Sequence, residues 1–168
     1  MASKELAIYL NDHLAGSAAG RDLAEKIRAQ NEGEPFGAVM EQIVRDIEED
    51  RQTLAGLMER LGVKPSRVKL AAGSVLEKMS RLAFARGIRS DPELSRLLEL
   101  EMLSLGVEGK LALWRTLKTL GAAGEELPAT ELDRLIERAM QQRERIEQHR
   151  LEAARKALAG GPVGASGS

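Results

Sequence analysis

A chain of 168 residues, 43% hydrophobic and 30% charged, lies in the usual range for one globular domain with its own core. With 25 basic and 26 acidic residues the net charge is -1, too little for a general field that would draw in nucleic acid, an acidic substrate or an anionic membrane surface. The absence of cysteine excludes disulfides, thiolate metal sites, iron–sulfur clusters and thiol catalysis, so any metal would need histidine and carboxylate ligands.

Only Tyr9, Phe36, Phe84 and Trp114 are aromatic, while Leu, Ala, Glu and Arg dominate, which predicts an all-α fold. Ser3 is placed to cap a first helix running to about Gln30, where Asn31, Gly33 and Pro35 break it. Its apolar or small stripe, Leu6, Leu10, His13, Ser17, Gly20, Ala24 and Ile27, steps by three and four. Gly16 and Gly20 cost helix propensity and are read as letting another backbone come close in a tight bundle, in preference to lining a ligand channel. A second helix begins near Pro35 or Gly37 and ends at Gly62. Its seam of Val39, Ile43, Ile47, Asp50, Leu54, Leu57 and Leu61 is apolar except at Asp50.

Pro65 and Ser66 are expected to open a third helical segment to about Arg86, with Val68, Val75, Leu76, Met79, Leu82 and Phe84 on its apolar side. About 20 helical residues span roughly 30 Å, enough to carry the chain back along a bundle. Ser90 or Asp91 caps the next helix, Pro92 suits its first turn, and Glu93 can close a capping box on Ser90. That helix runs to Leu120. Its stretch from Leu97 to Trp114 is apolar on nearly every side, so it is expected to be buried, and Glu99, Glu101 and Glu108 within it need partners. After a loop from Gly121 to Pro128, Thr130 with Asp133 caps a last helix to about Leu158, stopped by Gly160, Gly161 and Pro162. The expected organisation is a helical domain over 1–159 and a flexible tail over 160–168. The N-terminus lacks a signal-type apolar core and nothing reaches the length of a bilayer span, so a cytoplasmic protein without membrane contact is expected.

Four long helices, two short loops and one long helical connection predict a four-helix bundle with an additional crossover helix between the second and third long helices. In helix number, helix length and that central connection, over about residues 4–158, the chain resembles the ferritin-like superfamily. The resemblance implies metal ligands from inward positions, one Glu from each of two helices and a Glu-x-x-His pair from each of the others. The chain departs from this pattern, since Leu10 and Ile146 stand three residues before His13 and His149, and Glu152 follows His149 in reversed order. The departure puts the di-iron site in question, and with it ferroxidase or oxygenase chemistry.

What the residues themselves offer is an atypical set drawn from all four helices: His13, Asp50, Glu101 or Glu108, and His149. Imidazole and carboxylate together suit Fe, Mn or Zn, with no organic cofactor implied. A redox-active metal there would handle oxygen or peroxide, with Tyr9 as a nearby hydrogen-bond donor. Each residue also has a purely structural reading. His13 can accept the Tyr9 hydroxyl one turn away, and His149 lies in the polar run QQRERIEQHR; Asp50 can pair with Arg115 or another arginine, and Arg115 can neutralise Glu108. Buried ion pairs would then set helix register without chemistry, in a noncatalytic interaction or structural module. In that case Leu113 or Trp114 covers the crossover helix or forms an interface, and self-association is expected. No phosphate loop, nucleophile elbow or HExxH motif occurs, and interleaved charges with few aromatics argue against nucleic-acid binding. Whether the protein is an enzyme is left open by the sequence.

Overall fold

The computed structural model describes residues 2–66, 91–121 and 127–159, which form α1 (Lys4–Gln30), α2 (Pro35–Arg60), α3 (Pro92–Leu120) and α4 (Ala129–Leu158), with no strand among the described residues. Ser3 caps α1 by accepting the Leu6 N–H at 3.1 Å. Asp91 caps α3, accepting the N–H groups of Glu93 and Leu94, with Pro92 in the first turn. The start of α4 differs from expectation. Pro128 supplies a backbone carbonyl to Glu131 and Leu132, no side chain caps the helix, and Asp133 instead accepts a bond from Lys118 of α3.

The α1–α2 turn depends on Gly33, whose φ of 82° suits glycine, and on Gly37, where a Cβ would stand 2.1 Å from the Asn31 carbonyl oxygen. Buried Asn31 completes the turn, donating to the Ile27 carbonyl at 2.7 Å and accepting from Arg96 of α3 at 2.6 Å. Asn11 plays the matching part at the other end of α1. Its amide donates to the carbonyls of Ala7 and Lys64, and its oxygen accepts the Ser66 N–H at 2.6 Å. Pro65 and Ser66 therefore stand outside any helix, and the rest of the expected third segment, like the whole of the expected tail, lies outside the described residues.

Lys26 of α1 pairs with Glu99 near the start of α3, while Leu10 and Leu14 cluster with Leu113, Trp114 and Leu117 towards its end. Thus α1 and α3 run antiparallel. Because α1 also returns into α2 through a short turn, α2 and α3 run in the same direction. The core has two apolar parts. One gathers Ile27, Met40, Ile43, Leu100, Leu103 and Ile146; the other gathers Leu10, Leu54, Leu57, Trp114, Leu117 and Leu135. Burial of these side chains is the main favourable contribution to folding. Leu113 and Trp114 are 2% and 1% exposed within the second part, so they are core residues and not an exposed interface.

Two expectations are corrected here. The Leu97 to Trp114 stretch is not buried all round, since Leu105 is 65% exposed and Gly106 and Glu108 are also exposed. Its glutamates sit at the flanks of the buried face, within reach of basic side chains on α1 and α4. Nor do Gly16 and Gly20 bring two helices into close contact among the described residues. A Cβ at either, or at Gly106 or Gly109 on α3, would meet no atom of the described residues within 4 Å. Alanine lowers the helix-propensity cost of glycine by about 1 kcal/mol. Gly20→Ala and Gly109→Ala should each raise the unfolding free energy by roughly 0.5–1 kcal/mol in urea titrations, whereas Gly37→Ala should lower it.

Candidate functional site

The conspicuous polar feature is Asp50, 2% exposed on α2 at the junction of the two apolar parts. Lys110 of α3 donates to its Oδ2 at 2.5 Å, and Arg138 of α4 donates to its Oδ1. Lys110 also donates to Gln142 of α4, which is fully buried. Arg138 reaches on to Glu49 at 2.5 Å, and one turn away Asp46 accepts from Arg145 at 3.0 Å and from Gln42 at 2.7 Å. Burial pushes the Lys110 pKa down from 10.5, opposed by the neighbouring Asp50 charge. Three helices thus meet through one carboxylate. Arg138 Nε, Gln142 Nε2 and Trp114 Nε1 are buried with no hydrogen-bond partner among the described residues.

A cleft of about 270 Å³ opens between α1, α2 and α3 beside this layer. Gly16, Gly20, Gly106 and Gly109 border it, Leu54, Leu103 and Trp114 give it apolar walls, and His13, Asp50 and Lys110 also line it. Of the residues expected to bind metal, only His13 and Asp50 share this space. His13 presents its ring edge-on to Tyr9, with centroids 4.5 Å apart at 71°. His149 lies near the opposite end of the bundle against Phe36, also 4.5 Å between centroids. Glu101 pairs with Arg150 at 3.4 Å and Glu108 with Arg143 at 2.6 Å, a ladder that climbs one heptad on α3 while descending one on α4. The partner role expected of Arg115 falls to Lys110 and Arg138 for Asp50 and to Arg143 for Glu108. Among the described residues, no group of three or more His, Cys, Asp or Glu side chains is placed to hold a metal ion.

Lys110, Arg138 and Gln142 were not visible as site residues from the reading of apolar stripes, yet two of them carry a signal. Lys110 falls in the row Leu103, Val107, Trp114, and Gln142 in the row Leu135, Ala139, Ile146, both at steps of three and four. A polar residue inside such a row on each of α2, α3 and α4 marks a buried layer. Arg138, three residues after Leu135 and four before Gln142, is half-buried at the edge of this face and reaches Asp50 through the length of its side chain. Comparison with known protein families, with curated proteins and with solved structures finds no match to this chain.

Burial lowers the pKa of both histidines from 6.5, against a raising effect of Asp12 on His13 and of Glu152 on His149. The unfolded chain then binds more protons than the folded one just below pH 6.5, so stability is full above that pH and falls as the pH drops through the folded values. Thermal unfolding between pH 7.5 and about 5.5 should show this loss, and it should shrink in a His13→Gln, His149→Gln double variant.

Proposed function

We propose that this chain is a noncatalytic helical module whose metal-free polar layer fixes the register of its helices. The observation that carries this reading is the double engagement of Asp50: each carboxylate oxygen already faces a cation, Lys110 from α3 and Arg138 from α4. A metal at Asp50 would have to approach a carboxylate already flanked by two positive charges. Glu101 and Glu108 are likewise engaged by arginines, which supports a structural role for these carboxylates. The shared direction of α2 and α3 supports a ferritin-like arrangement with a crossover between them. As an interaction module it would meet a protein partner or a second copy through exposed apolar side chains such as Leu105 on α3 and Leu151 on α4.

The reading in which His13, Asp50, Glu101, Glu108 and His149 bind Fe, Mn or Zn keeps one supporting observation, that His13 and Asp50 line a common cleft. The two readings separate in one experiment. Asp50→Ala leaves two cations facing a buried gap and should cost about 3–5 kcal/mol in denaturant unfolding, while Asp50→Leu combined with Lys110→Met should cost less. Protein supplied in turn with Fe, Mn and Zn should show no stoichiometric metal by elemental mass spectrometry. Stoichiometric metal that disappears on His13→Ala would replace the structural reading with the metal one.

A further inference from the structure

Four helical glycines facing one opening need a physical reason. Each forgoes helix propensity, and the space a Cβ would take is empty at Gly16, Gly20, Gly106 and Gly109, so no contact within the described residues requires them. What their missing side chains leave is the cleft between α1, α2 and α3. Its volume of about 270 Å³ exceeds the roughly 150 Å³ of a cavity that admits benzene and lies just under the roughly 300 Å³ at which drug-sized pockets begin. That is room for one ring and a short polar arm.

The polar groups along the cleft are hydrogen-bond donors with capacity to spare. An ammonium has three N–H groups, and among the described residues Lys110 directs two of them, to Asp50 and Gln142. Arg51 uses Nε on Ser17 and one terminal nitrogen on Glu48, leaving its other terminal nitrogen without a partner among the described residues. Trp114, a wall residue 1% exposed, carries a buried indole N–H with no acceptor among the described residues. The acceptors are better satisfied. Both Asp50 oxygens face cations, and Asp12, exposed at the cleft, has an interaction of its own. Burial keeps His13 towards its neutral form, so it neither attracts nor repels an anion.

We propose that the glycine-bordered cleft is a binding site for a small carboxylic acid with an apolar ring-sized body, the body lying between the glycines against Leu54, Leu103 and Trp114 and the carboxylate taking the spare N–H groups of Lys110 and Arg51. This goes beyond the register-setting role of the polar layer, which supplies the cleft with its fixed ammonium.

Trp114 is the only tryptophan in the chain, so its emission reports on the cleft directly. The test titrates the full-length protein with phenylacetate, cyclohexylacetate and the neutral phenylacetamide, following Trp114 fluorescence and the heat of binding in parallel. The acids should bind about tenfold or more tightly than the amide, as a charge-assisted bond to a partly buried ammonium requires. Gly106→Leu and Gly16→Leu place a side chain in the open space and should abolish binding while leaving the circular dichroism of the helices and the melting temperature intact or raised. Absence of any response to either acid at tens of millimolar overturns the proposal. Equal affinity for acid and amide overturns the carboxylate assignment, and full binding in both folded leucine variants overturns the location.

Discussion

A carboxylate taken out of water must meet positive charge or lose its own, and in this bundle Asp50 meets two cations from two other helices. That single requirement links α2, α3 and α4. A slide of α4 by one turn past α2 would carry Arg138 away from Asp50, and a slide of α3 would withdraw Lys110. Apolar contacts between leucines and isoleucines tolerate such shifts far better, because one branched aliphatic side chain fills a gap much as another does. The half-buried Glu101 pair and the exposed Glu108 pair with α4 repeat the same offset along the flank of the bundle, where each adds little on its own. On the proposed reading, specific alignment resides in the buried layer, and bulk stability in the two apolar parts on either side.

Helix identity and most helix limits were legible because they depend on local chemistry. Ser3, Asp91, Pro92 and Gly121 act within a turn of their own position, and the seam of α2 is apolar at steps of three and four. The cap of α4 was less legible: Thr130 and Asp133 have the right spacing, but Asp133 is drawn to Lys118 on the neighbouring helix, a partner no local pattern reveals. Asp50 was legible as an interruption of its seam, and its dependence on an arginine follows from charge alone. Which arginine could not follow, since it turns on the offset of α4 against α2. The histidines drew attention as ligand types, yet each settles against an aromatic ring one helix turn or one helix away.

The glycines show the converse difficulty. In sequence, small residues four apart on a helix describe both a surface for close packing and the edge of an opening, because the two differ only in what stands opposite. Here α3 presents Gly106 and Gly109 where α1 presents Gly16 and Gly20, so small residues face the same space from both sides and leave it open. The pairing of two such stretches across a fold is a long-range fact. So is the composition of the cleft, whose donors come from α2 and α3 and whose tryptophan wall belongs to the second apolar part of the core.

Division of the interior by a layer of charged and amide groups also bears on how the molecule breathes. Arg138 and Gln142 hold buried atoms without a partner among the described residues, and water admitted there would satisfy them at small cost. Opening then has a natural seam at mid-bundle, where hydration of the polar groups offsets part of the apolar area exposed. Backbone amides beside Lys110 and Gln142 would exchange with deuterium through such partial openings, while those around Leu100 and Leu117 would wait for disruption of one apolar part or the other.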